Sequence, residues 1–297
     1  MSNPLAPLHQ ASYHRFAMLA ALVATLVATG PVSLMSEPQI DDKIAEAHKL
    51  PFPQRIDELS KLFLGTAYGD LPLGDGSGPE PWARWRTDKV DCQTYVETVL
   101  AMANARNLKE AKSVLDDIRY GKPQPTFENR NHFTEAQWLP ANTGKGYLKD
   151  EVPIIDGRAP TETLTLSKAQ WTKVKVLQRL VNADVPEGTF TVRYLPLEEA
   201  KKRAGSIEPG TILMVVREHD PNRIVRISHM GFVLKNPKGG YVVRHASTGD
   251  AHAVVDEQLV DFLDKQASYK KWKVVGFAMA MPLDASLRVS QIATASR

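Results

Sequence analysis

Apolar positions recur at helical spacing early in the chain and at strand spacing in its last third. Residues 37–64 read as two short helices, with Pro53 suited to a first helical turn and Ile56, Leu59, Leu62 and Phe63 on one stripe. Residues 65–81 are dense in turn formers, among them Gly69, Gly74, Gly76 and Gly78. A strong helix is predicted after Asp91, a good N-cap, with Val96, Val99, Leu100 and Ala103 along its apolar side. A second helix is expected over 108–120. Residues 121–205, rich in Pro, Asn and Trp, read as an elaborate connection, with a strand at 189–195 and a short helix at 197–204. Runs at 211–217, 227–234, 241–246 and 274–281 look extended, with a helix predicted around 256–264. Helices first and strands later imply an α+β fold with an antiparallel sheet. The tail after Pro282 is polar and expected to be loose.

The N-terminus changes the compartment. His14 and Arg15 precede an uncharged run over 16–35, whose apolar core over 16–30 fits a secretory signal and is closed by Pro31. The run is also just long enough to span a bilayer, which leaves a membrane tether as an alternative to cleavage. The expected organisation is a signal or anchor at 1–36, one domain at 37–282 with an insertion at about 121–205, and a flexible tail at 283–297. Export would place the protein in the periplasm. The net charge of +3 comes without a basic stripe interleaved with aromatics, so nucleic acid is not an expected partner.

The chain has 1 cysteine, Cys92, so no intramolecular disulfide can form. A lone cysteine is usually a small buried hydrophobe. Cys92 follows the predicted N-cap, however, where unpaired N–H groups and the positive end of the helix dipole favour thiolate. The same N–H groups could hold an oxyanion. An idle free thiol in an exported protein would also invite oxidation.

Of the 8 histidines, His229 and His245 alone lie inside apolar strands. The segments Ser228-His229-Met230-Gly231-Phe232 and Tyr241-Val242-Val243-Arg244-His245 flank a turn-rich stretch and read as a hairpin. A loop with an odd number of residues puts both histidines on one face, and a loop centred on Pro237 would set them directly opposite. A nucleophile, a base and a group that orients the base form the generalised triad. No HExxH-type spacing accompanies the histidines, and no metal or other cofactor is expected.

Asp91-Cys92-Gln93-Thr94-Tyr95-Val96-Glu97, the His229-Met230-Gly231-Phe232 strand and His245-Ala246-Ser247 together resemble the NlpC-like cysteine peptidases of bacterial cell walls. Gly65-Thr66-Ala67-Tyr68 resembles that superfamily's segment upstream of the cysteine. The motif Asp-Cys-x-Thr-aromatic-Val-Glu is closer to an N-acetylmuramoyl-L-alanine amidase-like branch, as are Arg130-Asn131-His132-Phe133, Trp138, Asn142 and Gly146 in the insertion. A departure is Gly210-Thr211, where superfamily members usually have Gly-Asp.

The resemblance implies a papain-like core, with a cysteine-bearing helix packed on an antiparallel sheet. It implies Cys92 as nucleophile, His229 as general base and His245 as the residue orienting it. Tyr68 would sit near the thiolate, and Asp91 would cap the helix and lie near a substrate amine. Arg130 and His132 are candidate substrate contacts. Glu97 lies about 140° round the helix from Cys92 and suits a structural hydrogen bond. The implied substrate is peptidoglycan or a muropeptide, cut at the lactyl–L-alanine amide. The alternatives are the D-glutamyl–diaminopimelate bond, cut with the same site, and a non-catalytic wall-binding protein.

Overall fold

The computed structural model describes residues 31–70, 72, 74–180 and 185–295. Helices α1 (Glu37–His48) and α2 (Phe52–Lys61) form where two short helices are expected. The backbone N–H of Ser36 donates to Gln39 Oε1 at 2.8 Å, which closes the first turn of α1. Helix α3 (Cys92–Asn104) is buried from Thr94 to its end, because other helices cover one side and the sheet covers the other. Helix α4 (Leu108–Arg119) is amphipathic and buries Leu108, Ala111, Val114, Leu115 and Ile118.

The strands are β1 (Ala67–Tyr68), β2 (Lys89–Val90), β3 (Leu148–Asp150), β4 (Thr161–Leu166), β5 (Gly188–Arg193), β6 (Leu195–Pro196), β7 (Ile212–Arg217), β8 (Ile227–Lys235), β9 (Tyr241–Ala246), β10 (Val254–Gln258) and β11 (Val274–Pro282). The main sheet runs β10-β9-β8-β7-β11-β3, with β6 also on β11, and every pairing in it is antiparallel. This is an α+β architecture. The alternation of β8 divides two cores. Met230, Phe232 and Leu234 join the core of α3, whereas Val233 joins the core that contains Phe262 and Phe277.

Three expectations need correction. The helix expected around 256–264 begins later, as α6 (Leu259–Ala267), because 254–258 pairs with β9 as an edge strand. The segment 283–297 carries a further helix, α7 (Ser286–Ala295), rather than trailing loosely. It is docked by Arg288, whose Nε and second terminal nitrogen donate to Asp117 at 2.9 and 2.6 Å, and by the Ala285 N–H on Asn104 Oδ1 at 2.7 Å. The insertion does more than connect, since β3 and β6 both pair with β11. The short helix α5 (Leu197–Lys202) follows β6. The hairpin of β4 and β5 closes a smaller cluster around Phe127, Phe133, Leu166 and Trp171.

The expected signal or anchor lies, through residue 30, outside the described residues. Its described end is part of the fold, for Val32 is fully buried and donates its N–H to Leu62 O at 2.6 Å. Among the described residues no helix is long and apolar enough to cross a membrane.

Candidate active site

Asp91 takes an extended backbone conformation and caps α3. Its Oδ1 accepts from the Thr94 N–H at 2.7 Å, and Thr94 Oγ1 accepts from the Asp91 N–H at 2.9 Å. Cys92 is therefore the first helical residue, and it is half-buried. The backbone N–H groups of Met230, Gln93 and Cys92 itself favour its thiolate, but burial and the Asp91 carboxylate outweigh them and push the thiol up to about 12. Desolvation of the charge thus exceeds what one helix end returns.

Tyr68 pairs with Val90 in the short parallel ladder of β1 and β2, which sets it beside the start of α3. Burial raises its hydroxyl to about 12, and the nearby Cys92 and Asp91 add to the effect. Its ring lies 5.2 Å from that of His252, and its N–H donates to His252 O at 2.8 Å.

The hairpin loop is Asn236–Gly240, because Lys235 pairs with Tyr241. The loop is odd, so His229 and His245 share a face, but its centre is Lys238 rather than Pro237. The histidines are consequently diagonal, and the run of β8 against β9 sets His245 across from Gly231. A Cβ at Gly231 would come within 2.7 Å of His245 Cβ and 2.8 Å of Arg244 O. The glycine lets β9 approach closely enough for His245 to lean onto His229. The outcome is a contact of 2.8 Å between His229 Nε2 and His245 Nδ1, with the rings 4.9 Å apart and at 89°.

His245 Nε2 lies 3.2 Å from Glu257 Oε2 on β10, and Lys265 Nζ on α6 reaches the same oxygen at 3.4 Å. The phenyl ring of Phe262 packs on both imidazoles. One tautomer satisfies the row: His229 Nε2–H donates to His245 Nδ1, and His245 Nε2–H donates to Glu257. That leaves His229 Nδ1 as a lone pair, with no hydrogen bond among the described residues. Burial, then the charges of His245, Lys265 and Arg217, lower His229 to about 3. Burial likewise lowers His245, against the pull of Glu257. Cys92 reaches the N–H of Met230, the residue after His229. No hydrogen bond from the thiol to an imidazole nitrogen is formed among the described residues. His229 and His245 lie on the sheet face of Val215, Val233 and Val243, against Phe262, whereas Cys92 packs with α3 on the face of Met230 and Phe232. The structure therefore brings the two histidines together but not onto the cysteine.

The insertion residues are engaged within the fold. The Arg130 guanidinium pairs with Asp75 at 2.5 Å and Glu80 at 2.7 Å, both buried, and Tyr120 Oη donates to Asp75 at 2.6 Å. His132 Nε2 meets Phe127 O at 2.6 Å, and burial lowers this imidazole to about 4. Asn131 and Asn142 both donate to Ile118 O in the last turn of α4, which has no helical partner for that carbonyl. Glu97 makes a buried ion pair with Arg119 at 2.9 Å and accepts from Gln93 at 3.1 Å.

The desolvated imidazole of His132 has a measurable consequence. Between pH 6.5 and about 4 the unfolded chain binds a proton there that the native state refuses, so this contribution to stability is present above pH 6.5 and lost on acidification. Carboxyls raised by burial, such as Asp91 and Glu135, act with the opposite sign, so the difference against a variant is the informative quantity. On going from pH 6.5 to 5, the parent should lose about 2 kcal/mol more stability than His132→Asn. Urea unfolding of the two proteins at both pH values checks this, and parallel losses would refute it.

Sequence reasoning missed Glu257 and Gly231. Glu257 was hidden by assigning its segment to a helix. For Gly231 the available signal was a glycine inside an otherwise apolar strand, which marks close backbone approach.

A family model described as AmiA-like, N-acetylmuramoyl-L-alanine amidase-like, matches residues 58–269. No curated protein matches the chain. Among solved structures, a Legionella pneumophila protein assigned to the family DUF1460 superposes with a TM-score of 0.72 at 26% identity, covering 83% of this chain and 94% of that one. An N-acetylmuramoyl-L-alanine amidase from Bacteroides uniformis superposes with a TM-score of 0.61 at 21% identity, covering 78% and 98%. A putative xylanase from Bacteroides fragilis does so at 0.57 and 20%, covering 75% and 99%. The last two likenesses show the fold alone, and their names differ in substrate bond.

Proposed function

Because the chain belongs to the AmiA-like, N-acetylmuramoyl-L-alanine amidase-like family, we propose that it hydrolyses the lactyl–L-alanine amide of peptidoglycan or muropeptides through a thioester on Cys92. The observation that carries this reading is the 2.8 Å contact of His229 Nε2 with His245 Nδ1, on a strand whose next N–H meets the cysteine. In the proposed reaction Cys92 gives its proton to His229 as Sγ attacks the lactyl carbonyl, a transfer that requires the start of β8 to rearrange, because the imidazole here faces Phe262. The N–H groups at the start of α3 receive the oxyanion. The imidazolium is stabilised through His245 and Glu257, and it protonates the departing L-alanine amine. Water, deprotonated by His229, then opens the thioester and frees the enzyme.

A cysteine helix against an antiparallel sheet with a histidine pair supports a papain-like, NlpC-like core. The apolar run over 16–35 supports export to the periplasm. Digestion of purified muropeptides followed by mass spectrometry tests the reading. Release of an intact stem peptide is the expected result. A dipeptide product would move the cut to the D-glutamyl–diaminopimelate bond, and no product together with no labelling of Cys92 by a thiol probe would leave a wall-binding protein.

A further inference from the structure

The insertion supplies one turn that touches both halves of the proposed site. The π-helical turn Thr134–Trp138 holds Glu135 with 3% exposure. Its Oε1 accepts from the backbone N–H of Arg226 and that of Ile227, where β8 begins. Val215 pairs with His229 while Val216 pairs with Ile227, so Ser228 is an extra residue and β8 bulges just before the histidine. A bulge leaves that stretch without a complete ladder, and the carboxylate supplies the missing acceptor. The Arg226 side chain, 1% exposed, ties the same point to β4 through Thr163 O at 3.1 Å and also meets His219 Nδ1.

The neighbouring residue reaches the other half. Thr134 Oγ1 donates to Gln93 Oε1 at 3.3 Å, and Gln93 Nε2 donates to Glu97 Oε1 at 3.1 Å. Gln93 is the residue after Cys92, and its N–H is one of those acting on the thiol. Two adjacent side chains of one turn therefore grip the first turn of α3 and the start of β8. Such π turns recur at functional sites because the extra residue re-aims side chains.

We infer that Glu135 is a positioning residue: with Thr134 it fixes the start of β8 against the first turn of α3, and so the place of Cys92 at that helix start. This rests on the role given to Cys92 above. Its oxygen does not touch the reacting atoms.

The test compares Glu135→Ala, Glu135→Gln and Thr134→Val in the full chain, with active sites counted by stoichiometric labelling of the single cysteine. Misplacement of about 1 Å can cost about 10²-fold, so Glu135→Ala should lose about that in kcat per labelled site with KM little changed. Glu135→Gln keeps an oxygen for both N–H groups and should restore most of the rate. Thr134→Val, whose fold is less at risk, should lose about fivefold in kcat with the same KM behaviour.

A second readout needs no substrate. The pH profile of Cys92 alkylation by iodoacetamide should move to higher pH in Glu135→Ala, because the Met230 and Gln93 N–H groups that favour the thiolate are no longer held in register at the sulfur. If Cys92→Ala keeps parental hydrolysis, the nucleophile reading falls, and this inference with it. If Cys92→Ala is inactive while folded Glu135→Ala and Thr134→Val keep the parent profile and the parent kcat per site, the positioning role alone is overturned.

Discussion

Replacing Cys92 by alanine is expected to lower muropeptide hydrolysis by about 10⁴–10⁶-fold, to the level that binding and oxyanion contacts give alone. The size follows from the chemistry, because no second nucleophile stands at the helix start to take the place of sulfur. Cys92→Ser should recover little. A serine hydroxyl is harder to deprotonate than a thiol, and an imidazole held near 3 is a weak base for it. The chain has 1 cysteine, so loss of labelling by iodoacetamide identifies the same atom that the kinetics interrogate. Rates measured on the same muropeptide for parent and both variants check the prediction. A Cys92→Ala protein with more than a tenth of parental activity would remove the thioester from the mechanism.

What was legible before the structure was mostly local. The helix after Asp91 is written in a cap and an apolar stripe that fall within one segment, and the cap bonds form as that pattern implies. The shared face of His229 and His245 is a matter of parity, which survives any odd loop. The offset between them is not, because the register depends on where the turn closes. Here Gly239 and Gly240 adopt φ of 101° and 77°, which moves the centre by one residue. Local reasoning reaches only one side of the balance at the thiol. The helix end is visible in sequence, whereas the burial that opposes it comes from strands more than a hundred residues downstream.

The same distinction separates the residues that were foreseen from those that were not. Arg130 reads in sequence as a candidate substrate contact, because its partners, Asp75 and Glu80, lie far upstream in a stretch that reads only as turns. The run Val254–Gln258 joins directly to an amphipathic helix, and periodicity alone merges the two. Only the pairing with β9 makes it a strand, and only then does Glu257 come to His245. Glu135 shows the same limit from the other side. Its carboxylate serves backbone groups that the bulge in β8 leaves open, and a bulge has no mark in the sequence of this strand.

His229 should be the second most costly residue to lose. With the thiol near 12 and His229 near 3, cysteine and histidine are both neutral at pH 7, so there is no standing thiolate to attack without help. Removal of the base in His229→Ala should therefore lower kcat by about 10³–10⁴-fold, with KM changed far less. His245→Ala should cost about 10–10²-fold by freeing the ring it orients. His245→Asn should recover part of that, since an amide oxygen can still accept from His229 Nε2–H.

The pH dependence follows from the same geometry. A base is lost when it is protonated, and His229 is held below its ordinary 6.5. The acid limb of kcat/KM should consequently lie well below pH 6, with activity steady from about pH 5 to 8 wherever the protein stays folded. A standing thiolate–imidazolium pair would instead lose activity on the alkaline side as the imidazolium gave up its proton. Initial rates between pH 4 and 9, with folding followed in parallel by circular dichroism, distinguish the two. An acid limb centred at 6.5 in a fully folded protein would mean that His229 is not the desolvated imidazole behind the thiol.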